Sequence, residues 1–594
     1  MNAQRDWRLA LLMLGILLIV AWSYWPLLDA GFVWVDNTIF HEAAWLRYGN
    51  GWIDRVFHQF YDWVNYFRPL TVFLWVVQAR AFDVTPQAMH GVSLALHLAN
   101  TLLVGLLGRL LWRASKGDSA SAVMTGGAML LYGLHPASIE PVAWISSQAE
   151  PLVTLLTLAA LGANLILRNP GCRATAVATI FFLAACAKES AVALPLVIAL
   201  IDIMLDRTSG DLGARLGAVW RRQWLTYVLM LVAGLAYLAL RWWGLGFLLQ
   251  ATAPGQISLA TRWQTASFVF VNYWRILLWP MFDLGPLHIV NERQFAVFSW
   301  KSLSTDCIAI VILAMGLYMA WRRKPLGFLV LTVCATLLPV MHVIPVTFDL
   351  SLYHERYALT AIAMASVLLP RCLAEVDFSR RRLQPWLVVA TASGVFWLGL
   401  GIANIRATLP LWNDEIKLWN WVLQRYPSLQ LAQSHLLAAY HSAGERAHAH
   451  NVADAILAEH ANCVDCMLNV ATLAVEEGDV PRLKTALENV RQALGAEPNK
   501  RAWQAYLIAV GQLHELQGET QEAVNAYQDA IRAEPLDPMA RMDLALLLAR
   551  HGDVPAARRH MEMALQLFAP DQRAHYGEIF ERVAASAAAK PERH

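Results

Sequence analysis

Long apolar segments alternate with short polar segments over the first two thirds of the chain, and this pattern ends near residue 405. A membrane-spanning helix needs about 20 apolar residues. Apolar segments, some of them shorter than this, predict about eleven spans, at residues 9–28, 87–111, 119–134, 150–167, 174–187, 190–205, 224–240, 304–321, 326–343, 357–371 and 385–405. The pattern predicts an all-α protein, with a membrane-embedded bundle over residues 1–405 and a polar, helical domain over residues 406–594.

Basic residues cluster between alternate spans, which sets the orientation. The clusters include Arg5 and Arg8, Arg109 and Arg113, Arg168 and Arg173, Arg221 and Arg222, Arg322 and Arg323, and Arg380 to Arg382. The positive-inside rule places them all, with the N-terminus, in the cytoplasm. An odd number of spans then exports the C-terminal domain. We therefore expect a multi-pass protein of a bacterial inner membrane with a periplasmic C-terminal domain.

Two further apolar stretches contain an arginine and break this alternation if they are counted as spans. They are residues 69–82, with Arg80, and residues 263–281, with Arg275. Counting either stretch as a span would move several later arginine clusters to the outside, against the positive-inside rule. We predict that both form amphipathic helices in the outer interface, in addition to the spans.

Small residues recur at an offset of 34 near the C-terminus. The pairs are Gly518 and Gly552, Ala523 and Ala557, and Ala530 and Ala564, and Gly444 and Gly478 show the same offset earlier. A period of 34 with small residues at helix contacts is typical of tetratricopeptide repeats. Such repeats stack into a solenoid whose concave face binds peptide or protein.

The composition supports a membrane protein with a polar domain attached. Hydrophobic residues make up 57% of the chain and charged residues 15%, against about 25% charged in soluble domains. The net charge of +2 gives no indication of a nucleic-acid partner.

Cys463 and Cys466 form a C-x-x-C pair that has no second pair to complete a zinc site. In an exported domain a disulfide and two free thiols both stay open.

Acidic and basic residues gather in the loops that the orientation places outside. The loop after the first span contains Asp36 in "FVWVDN", then His41, Glu42, Asp62 and Arg68. An aspartate in such a loop is more often a helix cap or a turn residue. The other outer loops supply His135, Glu140 and Glu150 in "HPASIEPVAWISSQAE", Lys188 and Glu189 in "AKES", and His342, Asp349, His354, Glu355 and Arg356 before the tenth span.

Carboxylates beside apolar spans indicate a functional site, because ionisable groups are costly there. The plain alternatives to a functional site are that the loop groups are only hydrated, that Lys188 and Glu189 form a local ion pair, and that the arginine only extends to the interface. Because acids and cations converge on one face, they suit a lipid-phosphate donor that meets a hydroxyl acceptor at the outer interface. A channel or pump would instead carry its charges within the spans.

These motifs resemble those of the transmembrane and tetratricopeptide-repeat O-mannosyltransferases and their bacterial relatives, in the GT-C glycosyltransferase superfamily. The similar pieces are "FVWVDN", "YFRPLT", "HLANTLL", "HPASIEPVAWISSQAE", "AKES", "HERYAL" and the C-terminal repeats, in family order. The resemblance implies a polyprenyl-phosphate sugar donor, a hydroxyl acceptor on exported protein, and a catalytic acid in the first outer loop.

The resemblance assigns Asp36 as the catalytic base and a set of substrate-binding residues around it. That set is Arg68, His135, Glu140, Glu150, Lys188, Glu189, His354, Glu355 and Arg356. The family has two adjacent acids where this chain has only Asp36, and an arginine where it has Gln148. One acid suffices for inverting transfer from a sugar monophosphate, since one base takes the acceptor's proton. A requirement for Mg²⁺ or Mn²⁺ stays open.

Two other functions compete with monosaccharide transfer. One is the transfer of a whole lipid-linked oligosaccharide, as in ligases of a similar class. The other is a non-catalytic membrane scaffold in which the repeats bind a partner and the loop acids are only hydrated. An active transferase requires Asp36, whereas a scaffold would keep its function with Asp36→Asn.

Overall fold

The computed structural model describes residues 2–41, 44–47, 51–58, 66–248, 258–291, 294–295, 297, 299–342, 351–378, 383–459, 462–495, 500–568 and 570–588. The chain falls into two compact units. The first comprises Met1–Asp36 and Gly49–Asn413, and the second comprises Asn37–Tyr48 and Asp414–His594. The domain boundary predicted at residue 405 lies inside a helix that continues to Thr408.

The described part of the chain is helical, with one isolated β-bridge between Ile289 and Ser351. Up to residue 408 the α-helices are α1 Asn2–Tyr24, α2 Ala44–Arg47 (in the second unit), α3 Gly51–Phe57, α4 Pro69–Phe82, α5 Pro86–Lys116, α6 Ser121–Gly133, α7 Ile139–Ala143, α8 Ala149–Ile166, α9 Pro170–Ala187, α10 Leu194–Leu205, α11 Leu212–Leu245, α12 Leu259–Leu278, α13 Trp300–Trp321, α14 Pro325–Leu337, α15 Leu359–Leu373 and α16 Gln384–Thr408. The prediction of an all-α protein is confirmed.

Eight segments within the described residues are long and apolar enough to cross a membrane. They lie in Trp7–Asp29, Pro86–Lys116, Ile145–Ile166, Pro170–Ala187, Leu212–Leu245, Trp300–Trp321, Glu355–Leu373 and Gln384–Trp412. Each contains one of the eleven predicted spans or most of it. The protein is therefore a multi-pass membrane protein.

The other three predicted spans form shorter helices. These are α6 with 13 residues, α10 with 12 and α14 with 13. At about 1.5 Å of rise per residue, 13 residues cover about 20 Å, less than the ~30 Å apolar core of a bilayer. For α14 and α10 the predicted spans also include residues of the adjoining 3-10 turns, Leu338–Val340 after α14 and Glu189–Ala193 before α10.

Several loops of the first unit, including loops that adjoin the short helices, form 3-10 turns and pack against other parts of that unit. These turns are Pro136–Ser138, Ile145–Ser147, Glu189–Ala193, Leu338–Val340 and Glu355–Ala358. The turn at Glu189–Ala193 packs against the turn at Leu338–Val340, and the turn at Glu355–Ala358 packs against α7. One end of the first unit thus has a layer of short loops that carry most of the predicted site residues.

The two stretches predicted as interfacial helices are α4 and α12, and neither qualifies as a span. Both have faces that pack into the first unit. Thr71 of α4 donates a hydrogen bond of 2.8 Å to the carbonyl of Ala187. Phe270 and Tyr273 of α12 are buried. The two helices therefore belong to the body of the first unit as well as to its surface.

Tryptophans mark both ends of two membrane helices. Trp220 and Trp242 of α11 are both more than half exposed, as are Trp300 and Trp321 of α13. At about 1.5 Å per residue, each pair is separated by about 32 Å along its helix. Tryptophan concentrates at the two membrane–water interfaces, which lie about 30 Å apart. These helices therefore match the thickness of a bilayer.

In the second unit, the helices from α18 onward form successive antiparallel pairs. Its helices are α2, α17 Glu415–Arg425, α18 Gln430–Ser442, α19 Arg446–Glu459, α20 Val464–Glu477, α21 Val480–Leu494, α22 Lys500–Gln517, α23 Thr520–Ala533, α24 Met539–Arg550, α25 Val554–Leu567 and α26 Pro570–Ala588. Gly478 ends α20 with φ of +69°, a conformation that favours glycine. The recurring alanines, among them Ala523 and Ala557, are fully buried, as expected where helices meet.

Cys463 and Cys466 form a disulfide at the start of α20. Cys463 caps the helix, because its sulfur accepts the backbone N–H of Cys466. Cys466 is fully buried in the core that Met467 and Val470 help to form. Of the two alternatives left open for this pair, the structure contains the disulfide.

The arginine pattern predicts that the loop before α11 and the repeats lie on opposite sides of the membrane. Ser209 and Ser442 are both exposed, so Ser209→Cys and Ser442→Cys are suitable labelling sites once exposed Cys172 and Cys307 are replaced by alanine. In intact cells, a membrane-impermeant maleimide should label Ser442→Cys and not Ser209→Cys. Labelling of both positions from one side would contradict this topology.

Candidate active site

Asp36 lies in the loop that follows the first span, and its carboxyl group is fully buried. Oδ1 accepts two hydrogen bonds from Ser146, one from the backbone N–H at 2.8 Å and a short one from the hydroxyl. The N–H of Ser146 is available because the first N–H groups of a helical turn have no partner within the turn. Oδ2 is buried and has no hydrogen-bond partner among the described residues.

The buried position of Asp36 makes its carboxyl group a weaker acid. Burial raises the pKa of Asp36, and the hydrogen bonds from Ser146 only partly oppose this, so that the pKa is about 7. A carboxyl group with a pKa near 7 exchanges its proton readily at neutral pH. Because Oδ2 has no described partner, Asp36 combines a suitable proton affinity with an available oxygen.

An aromatic stack connects Asp36 to the other loops. The ring of Trp34, two residues before Asp36, stacks on Trp144 with centroids 4.9 Å apart and planes 9° apart. The guanidinium of Arg356 also lies over the ring of Trp144, 4.9 Å from its centroid. The contact of an arginine with an aromatic face is attractive. The loop of Asp36 and the guanidinium of Arg356 therefore contact the same pair of rings.

Glu140 holds Arg356 across 216 residues of sequence. One oxygen of Glu140 accepts the backbone N–H of Arg356 at 2.9 Å, and the other pairs with its guanidinium. His354 lies 3.5 Å from the same carboxylate. Burial alone would raise the pKa of Glu140, but the charge of Arg356 outweighs burial and lowers that pKa to about 2. Burial and Arg356 lower the pKa of His354 to about 4, so its ring is neutral at pH 7.

Lys188 and Glu150 form a second buried ion pair, with each side chain 6% exposed. The ammonium of Lys188 also lies 4.3 Å from the ring centroid of Tyr357. Arg356 approaches the same ring to 4.7 Å and donates a hydrogen bond of 3.2 Å to its hydroxyl. The ring of Tyr357 thus contacts both Lys188 and Arg356, and it joins the ion pairs of these two cations into one cluster.

Arg68 and Glu189 form a third ion pair, in which Nε and Oε2 are 3.0 Å apart. Arg241 approaches the other oxygen of Glu189 at 3.6 Å, and the guanidinium of Arg68 lies 4.2 Å from the ring centroid of Tyr66. Burial alone would raise the pKa of Glu189, but Arg68 outweighs it and the pKa is lowered. Arg241 directly precedes Trp242, one of the two tryptophans that mark the ends of α11. The pair of Arg68 and Glu189, which Arg241 contacts, therefore lies near that end of α11.

Glu355 pairs with a residue that the sequence analysis missed, His288. Nε2 of His288 is 2.8 Å from Oε1 of Glu355, and its ring stacks on Tyr353 with centroids 4.3 Å apart. Both side chains of the pair are buried. His288 stands in no motif of the sequence, and its partner is 67 residues away, so no local pattern could have identified it.

His135 has a structural position. Its Nδ1 accepts the backbone N–H of Ala137 at 3.3 Å, and its Nε2 is 3.2 Å from the carbonyl of Leu277. This pattern needs a neutral ring that accepts at Nδ1 and donates at Nε2. Burial lowers the pKa of His135 to about 4, which keeps the ring neutral. With both nitrogens engaged, His135 orients the loop that carries Glu140.

Gln148, which stands where the related family has an arginine, is fully buried in a polar network. Its amide nitrogen donates to the carbonyl of Met89 and to the hydroxyl of Ser93, both at 3.0 Å. Its amide oxygen accepts a hydrogen bond of 2.8 Å from Gln78. The network ties α4 and α5 to the loop before α8.

A narrow cavity of about 10 Å³, room for roughly one water molecule, adjoins the ion pairs. Its charged and aromatic lining residues are Glu150, Lys188 and Tyr357. The other lining residues are mainly apolar or hydroxylic, and they include Val153, Leu194, Val197, Thr336, Val340 and Thr360. The lining as a whole is therefore amphiphilic.

The structure joins five of the ten predicted site residues, Glu140, Glu150, Lys188, His354 and Arg356, through ion pairs and the ring of Tyr357. Asp36 is connected to them through Trp34 and Trp144, Arg68 and Glu189 form a pair of their own, Glu355 pairs with His288, and His135 supports the loop of Glu140. Glu42, Asp62 and Asp349 lie outside the described residues, as does the side chain of His41. His342 contacts the carbonyl of Leu352 at 2.7 Å and is no part of the cluster. Within the described part, no group of three or more His, Cys, Asp or Glu side chains is arranged to hold a metal ion.

The raised pKa of Asp36 predicts a pH-dependent cost in stability. The unfolded chain releases this proton near pH 4, whereas the folded protein retains it until about pH 7. Wild-type stability should therefore fall relative to Asp36→Asn as pH rises from 4 to 7. Thermal unfolding in detergent should give a Tm advantage for Asp36→Asn that is larger at pH 8 than at pH 5. An advantage that does not depend on pH would contradict the pKa of about 7.

Comparisons with known proteins bear mainly on the second unit. A family model described as tetratricopeptide repeat matches residues 508–572, which confirms the predicted repeats there. Curated protein sequences give no match. Among solved structures, the chain is similar to ArnT from Cupriavidus metallidurans in the apo state, with 16% identity and a TM-score of 0.38 over 89% of this chain and 80% of that chain.

The chain is also similar to the Cut9–Hcn1 hetero-tetramer of the APC/C, with 12% identity and a TM-score of 0.22 over 83% of this chain and 96% of that chain. Both TM-scores are below 0.5, so neither similarity decides the function. The functional conclusion depends on the geometry of the site and on the motifs of the sequence.

Proposed function

We propose that this protein is a membrane glycosyltransferase of the GT-C type, with a polyprenyl-phosphate sugar as donor and a hydroxyl group on exported protein as acceptor. The observation that carries this proposal is the buried carboxyl group of Asp36, whose Oδ2 lacks a described partner, in a loop that is connected through Trp34 and Trp144 to the buried cation Arg356. A scaffold gains nothing from such a group, because a buried carboxyl group without a full set of partners costs stability.

Asp36 acts as the general base. Its pKa of about 7 suits a group that must take a proton at neutral pH. Oδ1 is held by Ser146, so Oδ2 is the oxygen that receives the proton of the acceptor hydroxyl. The acceptor oxygen then forms a bond to the anomeric carbon, while the bond from that carbon to the phosphate oxygen breaks on the opposite face. The sugar is transferred with inversion.

The cations around Tyr357 bind the phosphate of the donor. An arginine has five N–H donors, and two of those of Arg356 make hydrogen bonds to side chains in the described structure. The others, together with the ammonium of Lys188, stabilise the negative charge of the departing phosphate. Glu140 and Glu150 keep Arg356 and Lys188 in place through their ion pairs.

The cavity supports a donor that is part lipid. The cation of Lys188 in its lining suits a phosphate, and apolar lining residues such as Leu194, Val197 and Val340 suit an isoprenyl chain. In the present state the cavity has room for only about one water molecule, so we expect the surrounding helices to separate when the donor enters.

The repeats bind the acceptor protein and take no part in the chemistry. Every residue of the proposed site belongs to the first unit, and stacked helix pairs of this kind present a concave binding surface. With the repeats on the exported side, the acceptor hydroxyl reaches Asp36 from water while the donor reaches it from the bilayer. The transfer is therefore protein O-glycosylation at the outer face of the membrane.

The proposal predicts a large loss of transfer for Asp36→Asn and a smaller loss for Glu140→Gln. General base catalysis contributes roughly 10²–10⁴-fold, so Asp36→Asn should slow single-turnover transfer at least about 100-fold and leave donor binding intact. Glu140→Gln should mainly weaken donor binding, because it loosens Arg356. The measurement uses purified protein in lipid nanodiscs with a panel of polyprenyl-phosphate sugars.

Asp54→Asn is the matched control, because Asp54 lies in the same loop region and its side chain is 74% exposed. It should transfer at the wild-type rate. If Asp36→Asn kept more than a tenth of the rate while Glu140→Gln was inactive, the base would belong to the loop of Glu140 instead. Transfer of a whole oligosaccharide with no transfer of single sugars would identify a ligase.

A further inference from the structure

Ser146 has a specific relation to Asp36 that the motifs do not reveal. Its backbone N–H and its hydroxyl both donate to the same carboxylate oxygen, Oδ1, across 110 residues of sequence. Two donors from one residue fix the orientation of the carboxylate plane as well as its position. Oδ2 then remains the oxygen without a described partner.

We propose that Ser146 is the positioning residue of the catalytic base: its hydroxyl holds Oδ1 so that Oδ2 faces the acceptor. The proposal deepens the function described above and depends on it for the role of Asp36 in transfer. The hydrogen-bond geometry and the proton affinity that follows from it do not depend on that function.

The neighbouring serine is a matched comparison within the same turn. Ser147 is buried to 4% exposure, and its hydroxyl has no hydrogen-bond partner among the described residues. Ser146 is less buried than Ser147. The two adjacent serines of one 3-10 turn therefore differ in the one respect that matters here, a contact with Asp36.

The hydroxyl of Ser146 also favours the charged form of Asp36. A donor binds an ionised carboxylate more strongly than a protonated one, so it lowers the pKa against the effect of burial. The largest influences on Asp36 are burial and the hydrogen bonds with Ser146, Ile145 and Val33.

The titratable groups that the surrounding elements bring near Asp36 are few. Arg356 and Glu140 approach through the ring of Trp144, and His90 of α5 approaches through its contact with the carbonyl of Gly31 at 3.2 Å. None of these is altered by a change at Ser146, so a change in the titration of Asp36 would report the lost hydroxyl.

Removal of the hydroxyl should therefore shift the ionisation of Asp36 to higher pH. We expect Ser146→Ala to move it upward by about one pH unit, the size of one hydrogen bond to a charged group. The base must be ionised to act, so the acidic limb of the pH–rate profile should move upward by the same amount. At pH values well below the midpoint, transfer should be about tenfold slower.

Two readouts on the full-length protein in nanodiscs test the proposal. The first is the pH dependence of single-turnover transfer. The second is the infrared band of the protonated carboxyl group, identified as the band that Asp36→Asn lacks. Ser146→Ala should shift both midpoints upward, Ser146→Thr should restore both because it keeps the hydroxyl, and Ser147→Ala should leave both unchanged.

The outcomes separate this proposal from the proposed function. If no variant and no wild-type protein transfers sugar while the infrared midpoint still shifts with Ser146→Ala, the function fails and the hydrogen-bond assignment survives. If wild-type protein transfers sugar and Ser146→Ala leaves both midpoints unchanged, the role of Ser146 is wrong. An equal loss for Ser146→Ala and Ser146→Thr would also overturn it, since both would then act through packing.

Discussion

The buried ion pair of Glu140 and Arg356 is the interaction on which the rest of the site depends. Both side chains are less than a tenth exposed, and they join loops that are 216 residues apart in sequence. Loss of one partner from a buried pair costs about 3–5 kcal/mol, because the other charge remains buried and unpaired. Through Trp144 and Trp34 the same pair contacts the loop of Asp36, so the position of the proposed base depends on it.

Charge is distributed unevenly among the carboxylates of the site. Glu140, Glu150 and Glu189 each have an arginine or a lysine as partner. Asp36 is held by neutral donors, Ser146 and the backbone of Ile145 and Val33. A carboxylate next to a cation keeps its charge and is a poor base, whereas one held by neutral donors in a buried position can take a proton at neutral pH. Among these four acids, Asp36 is therefore the one suited to take a proton, while Glu355, the fifth acid of the site, pairs with His288 and also has no arginine or lysine partner.

Local patterns predicted the helices and the acids well, because apolar length and charged loop residues depend on nearby sequence. Asp36, Glu140, Lys188 and Arg356 all belong to motifs that are visible in the chain. The pairs of residues that meet across long sequence separations were not predictable. His288 lies 67 residues before Glu355, and Gln148 meets Gln78 across 70 residues.

The lengths of two short helices could not be predicted either, since the apolar sequence of α14 runs on into the turn Leu338–Val340 and that of α10 begins in the turn Glu189–Ala193. The sequence also could not show which cation pairs with which acid. The motifs suggest a local pair between Lys188 and Glu189, whereas the structure pairs Lys188 with Glu150 and Glu189 with Arg68. Such choices depend on how distant segments pack, and a single sequence contains no record of that packing.

The short helices have a consequence for the chemistry. A helix of about 13 residues leaves roughly 10 Å of a bilayer's apolar core uncrossed, and in this protein 3-10 turns that carry the charged residues border these helices. Buried ion pairs persist there because each charge has a partner and is shielded from lipid by the neighbouring loops. Under the proposed function, a donor whose lipid chain stays in the bilayer would place its phosphate among these cations, while an acceptor approaches from water. The shortened helices would then create the boundary at which an apolar donor and a polar acceptor react.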